Sequence, residues 1–231
     1  MTDIAKLDEL FFDRTGMDQA RVAGHVADAL AGADDGELYM EYRQTESFSF
    51  DDGKLKTASF DTAQGFGLRA VSGEATGYGH ASELSEPAIR RAAQTVKAVR
   101  GGGAPNVDFS PAATNQRLYA EDNPLQAVDF AAKVKLLQDI DAYARAKDPR
   151  VRQVMTSLLG SWQAIEIMRA DGDRVGDIRP LVRLNVSVMV GDGERMETGG
   201  YGSGGRVGYG GLIGPDNWRG HVDEALRQAL V

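Results

Sequence analysis

Leu181-Val182-Arg183-Leu184-Asn185-Val186-Ser187-Val188-Met189-Val190 is the stretch on which the fold turns. Val182, Leu184, Val186, Val188 and Val190 fall on every second position, with Leu181, Arg183, Asn185, Ser187 and Met189 between them. A period of two predicts a strand with one core face and one polar or interfacial face, the pattern of an antiparallel sheet.

The same signals spread outward from it. Val151 to Leu159 and Ala164 to Met168 read as strands, with hairpin signals at Asp171-Gly172 and Asp192-Gly193. Nearer the amino terminus, Leu38, Met40 and Tyr42 alternate with polar neighbours, and Phe48 and Phe50 precede the turn Asp51-Asp52-Gly53. Phe66, Leu68 and Ala70, the turn Ser72-Gly73-Glu74, and Thr76, Tyr78 and His80 continue a meander.

Helical spacing frames these strands. Ile4, Leu7, Leu10 and Phe11 share a face until Gly16, and Asp18 then caps a helix carrying Val22, Val26, Ala29 and Leu30 up to Gly32. Ser85-Glu86-Pro87 opens another, with Ile89, Ala92, Val96 and Val99 aligned and Gly101-Gly102-Gly103 as its stop. One long helix is expected over Pro124 to Lys147, ended by Asp148-Pro149, and a last one from Asp216 with Trp218, Val222, Ala225 and Ala229 in register. The predicted fold is α+β, antiparallel sheets with flanking helices in two successive sub-domains. Residues 1–105 form the first, a linker rich in Gly, Pro, Asn and Ser spans 106–124, and residues 125–231 carry the long helix and the second sheet.

Composition limits the chemistry. The 231 residues include no cysteine, which excludes disulfides, thiolate metal sites and thiol nucleophiles, and fits a reducing, cytoplasmic setting. A net charge of −8 argues against a broad nucleic-acid footprint, and no apolar run is long enough to cross a membrane, so neither partner is expected. His25, His80 and His221 stand too far apart for a local metal motif or a readable Ser-His-Asp order. Asp171-Gly172-Asp173 with Asp177 lacks the spacing of a calcium loop and reads better as a turn.

Nine of the sixteen residues from Gly199 to Gly214 are glycine. They contain a formal G-x-G-x-x-G at Gly200–Gly205, but a dinucleotide loop needs a helix directly after it and more glycines follow instead. A strand connection is the expected role. Tyr201, Gly204, Gly205, Arg206 and Tyr209, together with Arg179 and Arg183 of the strand before, are the candidate substrate or partner contacts, because glycine admits close backbone approach and tyrosine supplies amphipathic area. No catalytic or metal-ligating set is assigned.

Three stretches, in order and at these spacings, resemble the amino-terminal half of the TldD/PmbA family of metallopeptidases, also described as modulators of DNA gyrase. They are Gln64-Gly65-Phe66-Gly67-Leu68-Arg69-Ala70-Val71-Ser72-Gly73-Glu74-Ala75-Thr76-Gly77-Tyr78, Asp177-Ile178-Arg179-Pro180-Leu181-Val182-Arg183-Leu184-Asn185-Val186-Ser187-Val188, and Gly204-Gly205-Arg206-Val207-Gly208-Tyr209. The last two resemble the TldD branch more than its PmbA partner branch.

The resemblance implies a zinc peptidase of roughly twice this length, with an H-E-x-x-x-H zinc helix beyond the segment corresponding to Val231. No such string occurs in this chain. The chain is therefore expected to be a scaffold and dimerisation portion without catalytic residues, with zinc in the carboxy-terminal half. It would form a homodimer or a heterodimer with a PmbA-type paralogue and act on short or unfolded peptides. The alternative is a stand-alone protein-binding module of the gyrase-modulator kind.

Overall fold

The computed structural model of the protein describes residues 4–99 and 120–231. In chain order the elements are α1 (Ile4–Asp8), a π-helical turn (Glu9–Asp13), α2 (Gln19–Leu30), β1 (Asp35–Asp51), β2 (Lys54–Ser72), β3 (Ala75–Ala81), α3 (Glu86–Val96), α4 (Pro124–Ala127), α5 (Phe130–Lys147), β4 (Val151–Arg169), β5 (Arg174–Asp192), β6 (Arg195–Gly205), α6 (Gly210–Ile213) and α7 (Pro215–Ala229). The strands form one antiparallel sheet in the order β3-β2-β1-β4-β5-β6, so the α+β reading with flanking helices holds.

In β1, β2, β4 and β5 the inward face falls on even-numbered residues. In β5, Val182, Leu184, Val186, Val188 and Val190 are all buried, whereas Leu181 and Arg183 of the opposite face are exposed. Three of the turns expected from the sequence are two-residue hairpins closed through positive φ, which glycine adopts without strain, Gly53 at 76°, Gly73 at 58° and Gly193 at 63°, and Gly172 at 88° does the same in the four-residue connection 170–173.

Strand lengths are where the sequence reading falls short. Leu38–Tyr42 and Phe48–Phe50 are ends of a single 17-residue strand, β1, and the two runs before Asp171 are one 19-residue strand, β4. The interruptions are inward-facing positions that are not apolar. Gln44 accepts from Asn123 Nδ2 at 2.7 Å, Glu46 is buried in an ion pair, and Gly160 makes room for Tyr209.

The long helix expected over 124–147 is also corrected. Val128 is extended (φ −132°, ψ 127°) and separates α4 from α5, which Asp129 caps by accepting from the Ala132 N–H at 2.7 Å. Asp18 and Ser85 cap α2 and α3 as anticipated. The expected linker 106–124 lies outside the described residues up to residue 119, as do Gly101–Gly103.

The chain divides into two compact units. One comprises Met1–Arg43, Thr62–Leu118 and Gln163–Ile178, and the other Gln44–Asp61, Tyr119–Trp162 and Arg179–Val231, so β1, β2, β4 and β5 each contribute to both. In the first unit the core is Leu7, Phe11, Val22, Val26, Leu38, Met40, Leu68 and Ile89, and Arg69 forks onto Glu37 (2.8 Å) and Asp35 (2.7 Å). Glu166, 1% exposed, meets Arg174 at 2.6 Å there, and Arg174 also reaches Asp8 at 2.5 Å. In the second unit Phe50, Leu137, Ile140, Leu158, Leu184 and Val222 form the core.

A helix, three strands and a closing helix occur twice, as α2-β1-β2-β3-α3 and, with the short α6 before the closing helix, as α5-β4-β5-β6-α6-α7. Both closing helices sit on a glycine of the preceding strand. A Cβ on Gly79 would lie 2.9 Å from Ala92 Cβ of α3, and one on Gly199 would lie 2.0 Å from the Ala225 carbonyl oxygen of α7.

Candidate functional site

The glycine cluster is not primarily a loop. Gly199 to Gly205 lie in β6 and pair residue by residue with β5, from Val188↔Gly199 to Val182↔Gly205. A phosphate cradle needs backbone N–H groups converging from a turn into a helix, so the formal G-x-G-x-x-G does not form one here.

Opposed residues share a face of the sheet. Tyr201 and Ser203 stand opposite Val186 and Leu184, on the face covered by α7, while Gly202 and Gly204 stand opposite Asn185 and Arg183 on the other face. On that second face Arg183 Nε donates to Asn185 Oδ1 at 2.7 Å, and Asn185 Nδ2 donates to Ser157 Oγ at 3.0 Å. A groove of about 470 Å³ runs there, with Ser157, Arg183, Asn185, Ser187, Gly200 and Gly202 among its lining residues.

Of the seven candidate contacts, the structure gathers Arg183, Tyr201, Gly204 and Gly205 on the β5–β6 ribbon, with Arg183 and Tyr201 both lining the groove. Arg179 is half-buried earlier in β5, and Arg206 is exposed just beyond β6. Tyr209 has no exposed surface. Its hydroxyl donates to Glu46 Oε1 at 2.7 Å, and burial together with that bond raises the phenol well above its ordinary value.

Glu46 is the residue that sequence reasoning passed over. It accepts from Lys133 Nζ at 2.7 Å and 2.9 Å, and Lys133 also donates to the Leu125 carbonyl at 2.8 Å. Both side chains are over nine-tenths buried, and they form one wall of an apolar pocket of about 500 Å³ rimmed by the exposed Phe60 and Phe130. The available signal was parity: Glu46 keeps the even register of Tyr42 and Phe48.

His221 shows why proximity alone does not make a catalytic pair. Its Nε2 lies 2.9 Å from Ser203 Oγ, but Nδ1 has no partner among the described residues, so no carboxylate orients the ring as nucleophile activation requires. Burial holds its pKa below the ordinary 6.5. The neutral ring is thus favoured in the folded state, and the unfolded chain takes up the proton first as pH falls. Stability is expected to drop as pH falls below about 6.5, and urea titrations should show this component missing in His221→Gln.

His25 lies 3.1 Å from Glu86, and His80 stacks on Tyr78. Among the described residues no three His, Asp or Glu side chains are grouped to hold a metal ion, so the residues present do not fit a zinc site. No described helix is long and apolar enough to cross a membrane. The Asp171–Asp173 stretch is a hairpin turn, with Asp171 Oδ1 accepting from the Asp173 N–H at 3.0 Å.

Residues 36–100 match the PmbA/TldA metallopeptidase domain 1, and residues 123–231 match the central domain of the same family. The "Metalloprotease TldD homolog" of Haemophilus influenzae is 38% identical over 84% of this chain, and that of Buchnera aphidicola subsp. Schizaphis graminum is 35% identical over 86%. The chain spans 42% of the length of each. The crystal structure of TldE from Thermococcus kodakarensis shares the fold at a TM-score of 0.72 and 12% identity, covering 91% of this chain and 47% of that one. A structure from Bacteroides thetaiotaomicron described as a modulator of DNA gyrase does so at 0.68 and 13%, covering 91% and 49%. The chain belongs to the TldD/PmbA family of metallopeptidases, of which it carries the first and central domains.

Proposed function

We propose that this chain is the scaffold and dimerisation portion of a cytoplasmic, TldD-type zinc metallopeptidase that degrades or processes short or unfolded peptides. The observation that carries the reading is the match to the first and central metallopeptidase domains together with 42% coverage of relatives named as metalloproteases. The zinc would be held by the part of the relatives' length that this chain does not span. The partner would be a second copy or a PmbA-type paralogue.

A protein of the relatives' full length, carrying this chain at its start, is expected to hydrolyse unfolded peptides, to lose that activity to a chelator and to regain it with zinc. Activity untouched by chelation would overturn the reading. The stand-alone gyrase-modulator alternative draws on the Bacteroides structure being described as a modulator of DNA gyrase. Stoichiometric capture of gyrase by residues 1–231 alone would favour it.

A further inference from the structure

We propose that the pocket lined by β1, β2 and the start of α5, at Phe60, Asp129 and Phe130, binds a small apolar amine in its ammonium form.

The lining residues all belong to the second compact unit, and the volume of about 500 Å³ is that of a small-molecule site. Of the seven described phenylalanines, five are at most 4% exposed. The other two, Phe60 at 59% and Phe130 at 58%, both stand at this pocket. Large aromatic surfaces left in water together at one concave place mark a binding site rather than a core. Phe48 supplies a third ring from within, its centroid 5.7 Å from that of Phe130 and tilted by 52°. The face of a phenyl ring is its negative pole, so three rings around one space suit a cation with an apolar body.

The polar groups select the same sign of charge. An ammonium has three protons to donate, and those of Lys133 are matched by Glu46 Oε1 at 2.7 Å, Glu46 Oε2 at 2.9 Å and the Leu125 carbonyl at 2.8 Å. Lys133 therefore has no proton left for an anionic ligand. Asp129 differs: its Oδ1 accepts from the Ala132 N–H, and among the described residues the carboxylate has no ion-pair partner. Glu46 and Asp129 against Lys133 leave the lining one negative charge in excess. The Ser59 hydroxyl and the Gln126 side-chain amide also line the pocket, and neither is hydrogen-bonded to a described residue. Each can accept from an ammonium held by Asp129, whose apolar body would lie between Phe60 and Phe130.

Titration of isotope-labelled residues 1–231 with phenethylammonium at neutral pH, followed through backbone amide resonances, tests the site. Saturating shifts are expected at Ser59, Phe60 and Phe130, with binding about tenfold tighter than that of neutral phenethyl alcohol. Phenylpropionate, an anion of similar size, should bind more weakly than the alcohol. Asp129→Asn removes the charge but keeps a capping side chain for α5, so the amine should fall to the affinity of the alcohol while the alcohol is unchanged. Phe60→Ser, at an exposed strand position, should weaken the amine about threefold. Absence of saturating shifts up to about 10 mM amine would overturn the proposal. So would equal affinities for amine and alcohol, an amine affinity unmoved by Asp129→Asn, or tighter binding of phenylpropionate. Tighter binding of acetyl-lysine-methylamide than of phenethylammonium would also overturn it, because the occupant would then be a lysine side chain of another polypeptide and not a free amine.

Discussion

Glu46→Ala is expected to destabilise the protein by about 3–5 kcal/mol, because it leaves the Lys133 ammonium buried without its counter-charge. Lys133 is 3% exposed and, among the described residues, keeps only the Leu125 carbonyl as a hydrogen-bond acceptor once the carboxylate is gone. The Tyr209 hydroxyl loses its acceptor in the same step. Urea unfolding should register the loss as a lower midpoint at unchanged slope. The double variant Glu46→Leu with Lys133→Leu should recover most of that stability, since replacing a buried pair by apolar residues is commonly neutral or better. If Glu46→Ala unfolded within about 0.5 kcal/mol of the parent, the pair would not be buried as described.

Gly199→Ala carries the second large effect. The added Cβ would fall 2.0 Å from the Ala225 carbonyl oxygen and 2.7 Å from the Ala229 nitrogen, both backbone atoms of α7 with no side-chain rotation available to relieve them. The helix must lift from β6, loosening Trp218, Val222 and Ala225 beneath it, at a cost of about 3 kcal/mol, the upper end of overpacking. Gly200→Ala is the matched control. Its Cβ would meet only the Val186 carbonyl oxygen, at 3.6 Å, and its stability should stay within about 1 kcal/mol of the parent. Equal destabilisation by the two substitutions would contradict the close approach of α7.

These two positions also show what the sequence disclosed and what it withheld. The valine alternation of β5, the capped starts of α2 and α3 and the turn glycines were legible, because each depends on residues close together in the chain. Glu46 was not, since a carboxylate in a strand reads as exposed until a lysine 87 positions away is known to meet it. Gly160 fell between two strand runs and Gly199 in a cluster expected to be a strand connection, yet each is a strand residue where Tyr209 or α7 comes close. Val128, β-branched and between two helical runs, gave no break signal beyond the capping aspartate that follows it.

The candidate site divides along the same line. Arg183, Tyr201 and Gly204 were picked out as residue types suited to contact, and the structure sets them on one ribbon. Tyr209 was picked out by the same reasoning, but its hydroxyl is held by Glu46 in the interior, a relation no local spacing encodes. The three histidines were read as isolated, and each has its own separate neighbour: Glu86, Tyr78 and Ser203.

The most direct measurement for the account as a whole is the zinc content and peptidase activity of purified residues 1–231. The account predicts less than about 0.1 zinc per chain after dialysis and no cleavage of an unfolded peptide, with or without added zinc. One tightly held zinc per chain, or zinc-dependent cleavage by this chain alone, would contradict it.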